Sequence, residues 1–135
     1  MIVAAIIWSV VLADLATLHL LWAARIWFSI REEAELARAV VGTAGVERMP
    51  GPVLCAAVAL ALGLAATLPW WAAFGLQRAA LLALSVVFFL RGLAPFTGPW
   101  ARLTPEEPFR RLDRAAFGPL CLALAVLAAS LGSVA

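Results

Sequence analysis

Lysine, asparagine and tyrosine are absent from the 135 residues, and histidine and glutamine occur once each, as His19 and Gln77. All ten basic side chains are therefore arginines, set against eight acids for a net charge of +2. That charge is too small to indicate a nucleic-acid partner. Charged residues are scarce, 13% of the chain, where soluble domains carry about a quarter. A chain that is 65% hydrophobic, with a mean hydropathy of +1.02, leaves too little polar surface for a water-soluble fold. A membrane-embedded fold needs little. The arginine-only, alanine-rich usage resembles that of GC-rich bacterial genomes, which points to a bacterial inner (plasma) membrane.

Other absences narrow the chemistry. Cys55 and Cys121 are far apart and form no CxxC or Cys/His cluster of zinc spacing, so buried thiols are expected rather than a metal site. There is no phosphate loop, nucleophile elbow, HExxH or carboxylate pair. One histidine cannot supply both axial ligands of a bis-histidine haem within one chain. No cofactor or metal is therefore expected. The N-terminus lacks a basic region and Asp14 interrupts its apolar run, unlike a signal peptide.

What the chain does contain is four long apolar runs. A helix needs about 20 residues to cross the hydrocarbon. The spans are expected at about residues 2–28, 53–74, from 79 past Arg91, and 115–133. The runs are continuous rather than alternating, which argues helix over strand, and lipid requires backbone groups to be satisfied within each helix. The expected fold is all-α: a single four-helix transmembrane domain over 1–135, built of two helical hairpins at about 1–75 and 76–135. Residues 75–78, "GLQR", are expected as a tight turn. "REEAELARAVV" from Arg31 reads as a helical extension of the first span into water, ended by "GTAG". "TPEE" from Thr104 reads as a helix start with Thr104 as N-cap and Glu107 as reciprocal cap. The two long loops hold seven arginines and the opposite side only Arg78, so both loops are expected in the cytoplasm and both termini outside.

Displacing the sequence by 66 residues superimposes Arg25 on Arg91, Glu47 on Asp113, Arg48 on Arg114 and Cys55 on Cys121. This indicates a parallel repeat about an axis along the membrane normal. The shared residues suggest structural ion pairs, Arg25 and Arg91 each meeting Glu47 or Asp113 near the cytoplasmic interface.

The residues that do not repeat lie in "LADLATLHLLWAAR", 12–25. Asp14 aligns with Ala80 and His19 with Ser85. A charge at the bilayer centre costs about 2.5 to 3.5 kcal/mol on insertion scales, so Asp14 and His19 are expected to point into the bundle. On an ideal helix Trp8, Leu15, His19 and Trp22 share one face, and Asp14, Leu18, Leu21 and Arg25 another about a quarter turn away. Arg91 is expected to reach toward His19, so that Asp14, His19, Trp22 and Arg91 form a ligand-binding site at mid-depth.

"HLLWA" at His19, "FFLRG" at Phe88 and "FRRLDRAAFGPLCLAL" at Phe109 resemble a domain-of-unknown-function family of small bacterial membrane proteins with four predicted helices. The resemblance covers most of the chain and implicates His19, Trp22, Arg91, Asp113, Pro119 and Cys121. Leu21 stands where the family usually has tyrosine, Gly118 where it has serine, and "ARIWF" where glycines follow the tryptophan. The resemblance implies a four-helix fold and no activity.

The residues fit three functions. One is a bundle that binds or moves a small lipophilic or ionic solute through a mid-membrane polar site, four helices making so small a cavity that a homodimer would be needed. The second is an intramembrane enzyme, isomerase-like, acting on a lipid or isoprenoid with His19 as base or acid. The third is an accessory subunit of a larger membrane complex, its polar groups acting as glue. The first uses the midplane residues without an unobserved catalytic group and is the expectation carried forward, with membrane lipid and a small-molecule ligand as partners.

Overall fold

The computed structural model describes residues 1–135 and is all-helical. Four helices are long and apolar enough to cross a membrane: Ile2–Ala23, Pro52–Trp70, Phe74–Phe96 and Phe109–Val134. This is a multi-pass membrane protein. In detail α1 is Ile2–Ala23, α2 Glu33–Val40, α3 Pro52–Thr67, α4 Phe74–Leu93, α5 Gly98–Leu103, α6 Phe109–Leu112 and α7 Gly118–Val134. Single 3₁₀ turns extend α3 to Trp70 and α4 to Phe96, and a π-helical turn, Asp113–Phe117, welds α6 to α7.

α1 packs on α3, α4 packs on α7, and α1 touches α7. Ala5, Trp8, Leu12, Ala65, Ala66, Leu81, Leu124 and Ala128 join the four long helices in one buried cluster. Polar side chains fasten these contacts where water is absent. The Trp8 indole N–H donates to the Ala65 carbonyl at 2.8 Å, and the Ser9 hydroxyl to that of Ala66 at 2.7 Å. Ser85 does the same from α4 to Ala125 of α7, at 2.9 Å.

Several boundaries differ from the sequence expectation. The first helix ends at Ala23 rather than near Phe28, because Arg25 and Ser29 take left-handed φ values of +61° and +68°. α2 is consequently a separate helix, not an extension of α1. It folds back so that Leu36 and Ala37 cover Trp22, Met49 and Cys55, and Gly42 ends it at φ +74° with Phe109 packed against its bare Cα. "GLQR" lies inside α4, and the turn falls at 71–73. Gln77, buried in the first turn of α4, donates to the Leu68 carbonyl at 2.9 Å and closes that turn. Thr104 does not start a helix. Its hydroxyl donates to the Trp100 carbonyl at 2.8 Å at the end of α5, and the next helix starts at Phe109, after Pro108. The cap instead comes from Glu107, whose carboxylate accepts the Arg111 N–H at 3.2 Å.

Candidate functional site

The expected quartet of Asp14, His19, Trp22 and Arg91 does not assemble. α1 buries Ala5, Trp8, Leu12 and Trp22. At about 100° per residue, Asp14 lies about 200° round the helix from Leu12. It is exposed on the outer surface of the bundle, with no hydrogen bond or ion pair. Arg91 faces α7 instead of His19, its guanidinium meeting Asp113 at 2.8 Å. Only His19 and Trp22 remain together, their rings in an edge-on contact at 4.9 Å.

These two residues line a cavity of about 180 Å³ with Val40, Val41, Met49, Pro50, Leu54, Cys55 and Val58. It lies where the last turns of α1, the first turns of α3 and the end of α2 converge. Leu54, exposed on the outside of α3, brings its rim to the surface of the bundle. Three polar side-chain groups belong to the lining residues. The His19 Nδ1–H donates to the Leu15 carbonyl at 2.7 Å. A carbonyl only accepts, so Nδ1 carries a proton, and in a neutral ring Nε2 is then the acceptor. The Cys55 thiol donates to the Pro50 carbonyl at 3.6 Å. The Trp22 indole N–H is buried and has no partner, although Trp22 is only 7% exposed. Buried indole N–H groups ordinarily find an acceptor.

A second polar centre lies between α4 and α7. Asp113 is 1% exposed. One of its oxygens takes the Arg91 guanidinium, and the other accepts the Trp100 indole N–H at 2.7 Å. The guanidinium also lies 5.0 Å from the Trp100 ring centroid, within cation–π range. Two glycines permit this approach. A Cβ on Gly92 would come within 2.6 Å of the Leu122 side chain and 2.9 Å of its backbone nitrogen. One on Gly118 would lie 2.8 Å from the Asp113 carbonyl oxygen. Both Asp113 oxygens are matched by donors, so this centre works as a clamp between helices.

Arg25 and Glu47 do not form the corresponding pair. Arg25 sits on the left-handed turn after α1, and its guanidinium donates to the Pro50 carbonyl at 2.9 Å. Glu47 is exposed in the loop before α3 and has no ion-pair partner. The difference is one of backbone. Asp113 is carried inside a helix that begins at Phe109, whereas Glu47 precedes its helix by five residues. No three of the His, Cys, Asp and Glu side chains converge on one point.

Sequence reasoning missed Trp100 as the second ligand of Asp113 and α2 as a wall of the cavity. Nothing in "GPWARL" signals a carboxylate partner. The cavity wall depends on the reversal of the chain at 24–32, which the apolar pattern does not encode.

No curated protein and no solved structure matches the chain. One family model does, over residues 12–128, a stretch that includes His19, Trp22, Arg91, Asp113 and Cys121. The chain belongs to that family, described as proteins of unknown function (DUF3995).

Proposed function

We propose that this membrane protein binds a small lipophilic molecule by its polar head, in the cavity lined by His19, Trp22 and Cys55. The observation that carries this reading is the buried indole N–H of Trp22 with no acceptor in the chain. A ligand oxygen would satisfy it, and the His19 Nε2 lone pair would receive a hydroxyl or amine of the same head. A cavity of about 180 Å³ has the volume of about six water molecules and is smaller than the usual ligand pocket. It suits a head group, with the apolar remainder lying along Leu54 and Val58 toward lipid. Enrolment of His19 as a base would make the protein an enzyme acting on that head. The Cys55 thiol is already engaged with Pro50, so binding is the reading with more support. The same reading sets the cavity on the cytoplasmic side, since the arginine-rich segments flank it.

The test uses a photoreactive long-chain ketone, its carbonyl serving as acceptor, added to the protein in lipid nanodiscs. The expected result is cross-linking to α3 around Leu54 and Val58, reduced at least tenfold by Trp22→Phe, which keeps the ring and removes the N–H. Labelling spread over the lipid-facing surface, or unchanged in Trp22→Phe, overturns the reading.

A further inference from the structure

Asp14 is the one acid in the interior of a membrane span that the chain leaves unpartnered. It lies 12 residues from the start of α1 and nine from its end, about 18 Å and 13.5 Å along the axis, close to mid-depth. The basic residue on its own side of the fold, Arg25, is 11 positions further on and already bonded to Pro50. The arginine of the neighbouring hairpin, Arg91, is held by Asp113. Neither arginine of these two hairpins is free to pair with it, and an acid left in hydrocarbon is expensive.

The surface around it supplies what the single chain lacks. Thr17 is exposed one turn further along α1. Its hydroxyl donates to the Ala13 carbonyl at 2.8 Å, which leaves the oxygen's lone pairs available to accept. Ala13 and Thr17 stand four apart on the outward face, a small-xxx-small spacing that lets two membrane helices approach closely. Beside Thr17 the surface is hollowed into a groove lined by Ala16, Leu20, Ala56 and Gly63, among others, with a volume of about 390 Å³.

We propose that α1 is a homodimer interface in which two copies pack through Ala13, Asp14 and Thr17. The argument for a second copy is self-complementarity. A carboxyl group that carries its proton offers a donor and an acceptor, and Thr17 offers an acceptor three residues from Asp14, about 4.5 Å along the axis. A two-fold axis along the membrane normal sets the carboxyl and hydroxyl of one copy against those of the other, making each bond twice. Copies inserted in the same orientation meet in parallel, with both Asp14 side chains at the same depth. At about 100° per residue Asp14 lies about 140° round α1 from His19 and about 80° from Trp22, on a different face from the cavity, so the interface can be tested separately from it.

The experiment is single-molecule photobleaching of fluorescently labelled full-length protein in liposomes, over a series of protein-to-lipid ratios. Wild type is expected to be dimeric and to dissociate on dilution. Asp14→Leu is expected to weaken the dimer at least tenfold, and Thr17→Val several-fold. Asp14→Asn, which keeps both donor and acceptor, is expected to stay within about threefold of wild type. Asp14 is exposed and makes no hydrogen bond or ion pair within the chain, so Asp14→Leu should melt with wild type. Should it not fold, Thr17→Val with Asp14→Asn decides the matter. Cysteine placed at Ala13 is expected to cross-link to its own copy in membranes. Monomers at every density, an undiminished Asp14→Leu dimer, or cross-linking of that cysteine only to a different protein overturns the proposal.

Discussion

The guanidinium of Arg91 and the carboxylate of Asp113 meet at 2.8 Å between α4 and α7, with the Trp100 indole closing the second carboxylate oxygen. Asp113 is almost wholly buried, whereas the Arg91 side chain keeps a third of its surface. Breaking a buried pair by removing one partner costs about 3 to 5 kcal/mol, and the exposure of Arg91 places this one at the lower end. Asp113→Asn should therefore destabilise by about 3 kcal/mol, because it strands the guanidinium. The double variant Arg91→Met, Asp113→Asn keeps an oxygen for Trp100 and buries no charge. It should recover at least half of the loss. Denaturant unfolding in detergent checks both, and a double variant weaker than either single one would contradict the clamp.

Glycine positions separate contact from mere flexibility. A methyl group at Gly92 would collide with the backbone and side chain of Leu122, while one at Gly63 would meet nothing within 4 Å. Gly92→Ala is expected to lower stability by about 1 to 3 kcal/mol, the usual cost of overpacking. Gly63→Ala should be neutral or slightly stabilising, since alanine is the better helix former. Melting of the two variants side by side distinguishes them, and equal effects would mean that α4 and α7 are not in close contact at Gly92.

The spans were legible because hydropathy and length dictate them, and lipid allows little else. A pairing of Arg91 with Glu47 or Asp113 followed from the cost of a charge in an apolar helix end, but Arg91 was also expected in the mid-depth ligand site, and the pattern did not choose between the two. The inward direction expected for Asp14 was wrong for an instructive reason. Cost arguments say that an intramembrane acid must be covered, but not that its own chain covers it. Trp8 and Leu12 are larger apolar claimants to the inner face, and helical periodicity then turns Asp14 outward. Arg25 was misread because the helix was extended through "ARIWF". Its left-handed φ belongs to a reversal that no glycine or proline marks.

The orientation is accessible to cysteine labelling, with positions chosen from exposure. Thr104 is buried and unsuitable, whereas Thr43 in the loop after α2 and Ser133 near the C-terminus are exposed. Arginine counts predict the first inside the cell and the second outside. In intact cells an impermeant maleimide should modify Ser133→Cys and spare Thr43→Cys until the membrane is opened. Wild type, whose Cys55 is buried and Cys121 half-buried, sets the background. The opposite pattern would invert the topology.

Two tryptophans of α1 make different predictions from the same substitution. The indole N–H of Trp8 donates to the Ala65 carbonyl across the α1–α3 contact, and that of Trp22 is buried with no acceptor. Phenylalanine removes the N–H in each case and leaves an aromatic ring. At Trp8 this removes one of two donors to the Ala65 carbonyl, which the Leu68 N–H still reaches, an expected loss of about 0.5 to 1.5 kcal/mol in addition to that of the smaller ring. At Trp22 no protein bond is lost, and the disappearance of a buried unpaired donor offsets the loss from the smaller ring, so the ligand-free protein should stay close to wild type. Purified, delipidated protein measures this intrinsic effect. The protein in its native membrane should show a loss at Trp22, where a bound acceptor would stabilise wild type over Trp22→Phe by mass action. A Trp22→Phe variant that is destabilised equally in both settings would show a purely packing role for Trp22.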